Sequence, residues 1–145
     1  MIPNVRLLLA LAATLMICSC QTCPFGHKVT AGGKVEHVVL IWLKKPGDAK
    51  QREAVVAQCQ AFAAEISQVA HLSCGLALPS ERPVVDDSFD VGMVMRFDHP
   101  TELAAYEKHP VHVKAVQDLL KPLAAKILVY DISVASQQRP SSQAN

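Results

Sequence analysis

Aromatic side chains are scarce in this chain, with seven Phe, Trp and Tyr among 145 residues. A surface that stacks successive nucleic-acid bases needs several exposed rings, so the composition argues against such a surface. Charge of one sign is lacking too. Fourteen Lys and Arg face thirteen Asp and Glu, leaving a net charge of +1. The two signs are interspersed, which offers no electrostatic footing for nucleic acid or an anionic membrane surface. No internal repeat is present, which excludes a repeat array. Paired Cys-x-x-Cys motifs at zinc spacing are missing, because Cys20-x-x-Cys23 stands alone; a cysteine-built zinc site is not expected. Long apolar runs are also missing. The longest uncharged one, residues 7–17, is interrupted only by Thr14 and is too short to cross a hydrocarbon layer of about 30 Å.

That run has the length of a signal core, and Arg6 before it supplies the positive end. It closes in Ile17-Cys18-Ser19-Cys20, which resembles a bacterial lipobox with Cys20 as the lipidated residue. The expectation is a signal peptide over 1–19 and a lipid anchor on Cys20, holding the protein to a membrane without spanning it. Plain secretion with cleavage near the same place is the other reading. Gln21 stands where an inner-membrane retention aspartate would stand. The expected location is therefore the cell envelope, as an outer-membrane lipoprotein or in the periplasm. Residues 20–33 hold Cys23, Pro24, Gly26, His27, Gly32 and Gly33 without periodicity and read as a flexible tether. Residues 136–145, rich in Ser and Gln, read as a disordered tail. Export leaves Cys59 and Cys74 as the two domain cysteines. An oxidising compartment permits a disulfide between them; two buried free thiols are the alternative.

The 34–135 segment between tether and tail is strongly patterned. Residues 36–44 alternate, with His37, Val39, Ile41 and Leu43 on one face and Val38, Leu40 and Trp42 on the other. Both faces are apolar, so the strand is expected to be buried on both sides. Pro46-Gly47-Asp48 ends it, with Asp48 placed to cap a helix. Over 49–69, Val55, Cys59, Phe62, Ile66 and Val69 recur as one helical stripe. A second strand over 72–78 carries Leu72, Cys74, Leu76 and Leu78 against the small Ser73, Gly75 and Ala77, which leave room for a ligand or a partner's bulk. A third over 89–97 sets Phe89, Val91, Met93, Met95 and Phe97 against Asp90, Gly92, Val94 and Arg96. Pro100 suits the first position of a short helix carrying Leu103 and Tyr106. Pro110 opens another helical segment to about Leu120, with Val113, Val116 and Leu120 on one stripe. Pro122 limits its end. A last strand covers 126–134.

The order is β-α-β-β-α-β with a broken second helix, an α+β, ferredoxin-like arrangement. Helices on one face of such a sheet leave the other uncovered. Packing two sheets face to face buries it, so a homodimer closing into a dimeric α+β barrel with a central cavity is expected.

Three stretches carry a resemblance: His37-Val38-Val39-Leu40, Arg96-Phe97-Asp98, and Tyr106-Glu107-Lys108-His109-Pro110-Val111-His112. With Tyr130-Asp131 in the last strand, they are similar to the stress-responsive A/B barrel (Dabb) domain family over residues 34–134. The resemblance implies a homodimeric α+β barrel. Most members have no assigned reaction; one plant member is a polyketide cyclase that performs a cofactor-free aldol closure. Carried over residue by residue, Tyr106 and His112 take that enzyme's catalytic positions. His109 and His37 take the positions of the other two histidines, as ligand-binding residues, and no cofactor is implied. The few aromatics and small second strand depart from the cyclase's long hydrophobic tunnel.

Chemically, a histidine beside a tyrosine suits proton abstraction next to a carbonyl, with the tyrosine hydroxyl donating to the developing enolate oxygen. Each residue also has a plain structural reading. His109 at a helix start can cap the backbone, His37 can be a satisfied core histidine, and Tyr106 can bridge helix and sheet. His71 and His99 read as loop residues. A metal would have to use these histidines with Glu107 or Asp131, and the spacing is no metal signature; none is expected. Two readings stand: a small-molecule-binding, stress-protective module of the cell envelope, and a lyase or cyclase with His112 as base and Tyr106 as donor.

Overall fold

A computed structural model describes residues 33–135. The expected signal, the Cys20 acceptor, the tether up to residue 32 and the tail over 136–145 lie outside the described residues. The element order is β1 (Val35–Leu43), α1 (Ala49–Glu65), β2 (His71–Leu76), β3 (Val91–Phe97), α2 (Pro100–Glu107), α3 (Pro110–Ala115), a π-helical turn (Val116–Leu120), α4 (Lys121–Leu123) and β4 (Ala124–Ser133). The strands form one antiparallel sheet in the order β2-β3-β1-β4. This is the ferredoxin-like α+β fold, with the second helical region broken as expected.

The period-2 pattern of β1 sorts its side chains cleanly. Val35, His37, Val39, Ile41 and Leu43 are buried, while the alternate residues are half-buried. The buried face packs under the α1 stripe, where Val55, Cys59, Phe62, Ile66 and Val69 all enter the core. The opposite face carries Val38, Leu40 and Val94 without a helix over it. In a single chain, then, β1 is covered on one side only, not on both.

Asp48 caps α1 by accepting from the Gln51 amide at 3.0 Å. The helix ends at Glu65, four residues short of the stripe. Ile66 turns extended, and a turn that closes from the Val69 amide to the Ile66 carbonyl delivers Val69 to the core outside the helix. His99 is no idle loop residue: it caps α2, accepting from the Thr101 amide. After Pro110 the helix widens into the π turn and continues to Leu123, so Pro122 sits inside its last turn rather than beyond it. The wider turn shifts the helical phase. Val113 is 43% exposed, while Ala115 and Leu120 are buried.

One buried polar group fastens β1 to α1. Asp90, 2% exposed, accepts from the Leu43 amide at 2.8 Å, the Gly47 amide at 2.7 Å and the Arg52 guanidinium at 2.9 Å. Gly47 holds φ 78°, a left-handed conformation that favours glycine. Burial drives the Asp90 carboxyl upward, but the Gly47 and Leu43 amides and Arg52 outweigh it and hold it below the usual carboxylate value.

Candidate functional site

A cavity of about 390 Å³ lies between the sheet and the helices of one chain, lined by His37, Phe62, Met93, Tyr106, His112 and Val129 among others. The candidate histidines His37 and His112 thus line a cavity within one chain, on the helix side of the sheet and not between two sheets. The reason is the pleat: His37 falls on the helix-covered face of β1, so the pocket opens there.

Tyr106 stands at its centre, 1% exposed. Its ring packs against Phe97 at 5.2 Å, Phe62 at 5.8 Å and His37 at 6.0 Å between centroids. Burial pushes its hydroxyl well above the usual tyrosine value, and the charges of Cys59 and Glu107 add to this. The group stays protonated, as a donor. Among the described residues no protein group partners that hydroxyl by hydrogen bond, and it is not sealed off as the orphaned oxygens of Gln51 and Gln68 are. A buried hydroxyl ordinarily finds a partner, and Tyr106 lines the cavity.

The His112 ring packs against Tyr106 at a tilt of 42°, with centroids 4.4 Å apart. Its Nδ1 lies 3.0 Å from the Glu107 carbonyl. A carbonyl only accepts, so Nδ1 carries the hydrogen and the neutral ring keeps its lone pair on Nε2. Burial depresses the His112 pKa, the Glu107 carbonyl opposes this, and the charges of His37 and His109 push it down further. The ring is therefore a neutral acceptor in a mostly apolar pocket.

His37 is 7% exposed, and its Nδ1 lies 2.6 Å from Asp131 Oδ1. The two are register partners on β1 and β4, so the sheet itself sets the pair. The carboxylate orients the ring as a hydrogen-bonded partner orients a working histidine. The pairing of Asp131 with His37 is what spacing alone does not show, since 94 positions separate the two.

Three of the four expected pocket residues thus converge: His37, Tyr106 and His112. His109 does not join them. It is the N-cap of α3, its Nδ1 accepting from the Val111 amide at 3.3 Å, which is the structural role open to a histidine at a helix start. Cys59 and Cys74 are free thiols, with no disulfide between them. Among the described residues no three His, Cys, Asp or Glu side chains gather to hold a metal ion. The π turn supplies Val116 and Leu120 to the cavity wall, in keeping with the frequency of such turns at functional sites.

Known proteins share both the sequence pattern and the fold. The family model described as Stress Responsive A/B Barrel Domain matches residues 35–134. A stress-response A/B barrel domain-containing protein of Arabidopsis thaliana is 28% identical over 97 residues, 67% of this chain and 35% of that protein. The chain therefore spans about a third of this curated relative's length. Among solved structures, the hydroxynitrile lyase of Passiflora edulis matches with a TM-score of 0.63 at 16% identity, over 74% of this chain and 98% of its own. A dimeric ferredoxin-like protein of unknown function from Thermobifida fusca matches with a TM-score of 0.59 at 20% identity, over 71% and 92%. At these identities the two structures speak for the fold alone.

Proposed function

Because the chain belongs to the stress-responsive A/B barrel domain family, we propose that it binds a small, mainly apolar molecule with one oxygen acceptor in the cavity beside Tyr106. The observation that carries this reading is the Tyr106 hydroxyl, buried, held protonated and without a protein partner among the described residues. A carbonyl oxygen is the group such a donor would take, and the apolar walls at Phe62, Met93 and Val129 would hold the rest. The volume of about 390 Å³ falls at the lower end of the roughly 300–1,000 Å³ of small-molecule pockets.

The test uses benzaldehyde as probe. Titration should shift the Tyr106 and His112 ring resonances, and Tyr106→Phe should weaken binding about tenfold, the worth of one hydrogen bond of ~1.4 kcal/mol. Unmoved ring resonances at high probe concentration, or unchanged affinity in the variant, would sink the reading.

A second reading is favoured by the His112 tautomer. The Nε2 lone pair beside a hydroxyl donor is the pair that proton abstraction next to a carbonyl, or from a cyanohydrin hydroxyl, requires. In this cofactor-free lyase or cyclase reading His112 is the base, Tyr106 donates to the developing oxyanion, and His37 held by Asp131 is a second polar wall. A hydroxynitrile lyase of the same fold gives it a precedent in chemistry.

The same proposal includes a homodimer, supported by the uncovered sheet face and by dimeric neighbours of the same fold. It also includes export to the cell envelope with a lipid anchor on Cys20, supported by Arg6, the apolar run and the Ile17–Cys20 sequence.

A further inference from the structure

Cys59 and Cys74 take no part in the hydrogen bonding of the cavity, yet they sit on facing elements: Cys59 midway along α1, Cys74 on β2. Two independent contacts place their sulfurs in one neighbourhood. Cys74 is the register partner of Met93 in the β2–β3 ladder, and directly paired residues project to one face with Cβ atoms about 5 Å apart. The Cys59 thiol lies 3.7 Å from Met93 Sδ. From the other side, the Cys74 thiol lies 3.8 Å from the Val56 carbonyl, and Val56 is about one helical turn before Cys59. Each sulfur thus rests against a neighbour of the other. The thiol of Cys59 is pushed up to about 12, by burial first and then by the neighbouring Cys74. Access is unequal: Cys59 is buried and Cys74 half-buried.

We propose that Cys59 and Cys74 are a dithiol–disulfide pair, oxidised by exchange with a low-molecular-weight disulfide such as glutathione disulfide. The more accessible Cys74 loses its proton and attacks one sulfur of the oxidant. A mixed disulfide forms, and one glutathione leaves as a thiolate that takes up a proton. Cys59 then gives up its proton and attacks Cys74 Sγ, expelling the second glutathione. Two protein thiols are oxidised to one disulfide, and one small disulfide is reduced to two thiols. The bridge ties α1 to the edge strand β2. Phe62, one turn beyond Cys59, and Met93 both line the ligand cavity, so the bridge fixes that wall. The pairing itself is independent of what the cavity binds.

The full chain is incubated under native conditions with glutathione disulfide, quenched in acid, alkylated and digested with trypsin. Cleavage after Arg52 and Arg96, with Pro83 protecting the bond after Arg82, releases residues 53–96 with both cysteines and none of the N-terminal ones. The expected peptide is two hydrogens lighter, takes no alkyl group, and takes two after reduction. A peptide alkylated twice without reduction, a stable glutathione adduct on one cysteine, or linkage to an N-terminal cysteine would each overturn the pairing. In Cys74→Ser, Cys59 should remain unmodified; a glutathione adduct on it would overturn the order of attack.

Discussion

Burial holds His112 below the ordinary histidine value of 6.5, and this has a definite consequence for pH. An unfolded histidine takes up its proton near 6.5, while the folded one resists until a lower pH. Between the two values the unfolded state binds more protons, so stability rises with pH there. The effect of His112 on stability is nil above about 6.5, and stability is lost as pH falls from there to the folded value. The Nε2 lone pair persists over the same window, so binding or turnover that uses it should survive to a lower pH than a free imidazole would allow. An NMR titration of the His112 ring checks this: a midpoint below 6.5 is expected, and one at or above 6.5 would remove the case for a neutral base. If His112 is the base, His112→Ala abolishes the activity at every pH. At this scale Tyr106 and His112 were legible, because the Tyr-x-x-His-Pro-x-His run carries both. His109 was legible with two roles open to it, pocket residue and helix cap, and its place directly before Pro110 at the helix start makes it the cap.

Asp90 shows what element-level periodicity cannot see. Strict alternation from Phe97 back to Phe89 puts Phe89 on the buried face and Asp90 on the other. The structure reverses the two. The strand begins at Val91, Asp90 turns inward, and Phe89 packs on Trp42 with ring centroids 6.3 Å apart. Three donors converging on one carboxylate outweigh the rhythm of the sheet, and such convergence is a tertiary fact. The same holds for the end of α1, where the stripe to Val69 was legible but the helix stops at Glu65, since burial, which the stripe reports, continues through a turn. Asp90→Ala leaves the buried Leu43 and Gly47 amides without their acceptor and Arg52 without its counter-charge. It should cost about 2–4 kcal/mol, measured as a lowered urea midpoint with an unchanged slope. A loss under ~1 kcal/mol would mean that water replaces the carboxylate.

At the scale of the whole molecule, the helix-free sheet face decides the assembly. Register pairing lines up Val94, Val38 and Tyr130 across three strands, and Gly92, Leu40 and Leu128 beside them. Tyr130 and Ile132 are each 50% exposed. Over β2 and β3, Gly75 faces Gly92, and a Cβ at Gly75 would meet nothing within 4 Å, which leaves a dent for an incoming side chain. The Arg96–Glu36 ion pair at 2.7 Å edges the patch as a polar rim. A contiguous apolar surface of this kind marks an interface, and a second sheet laid on it would close the barrel. Val38 is the place to test it, because it is half-buried in the single chain and central in its row. Val38→Asp should leave the fold intact by circular dichroism, yet weaken the dimer about a hundredfold by burying an unpaired carboxylate worth ~3 kcal/mol or more. Sedimentation velocity at micromolar concentration should then show a dimer for the natural chain and a monomer for the variant. A monomeric natural chain, or a variant that stays dimeric, would mean that this face is covered in some other way. Because His37, Tyr106 and His112 lie on the helix side of the sheet, the monomeric variant should still bind benzaldehyde. Separating the two properties in one protein would place the site within the protomer and the interface on the opposite face of the same four strands.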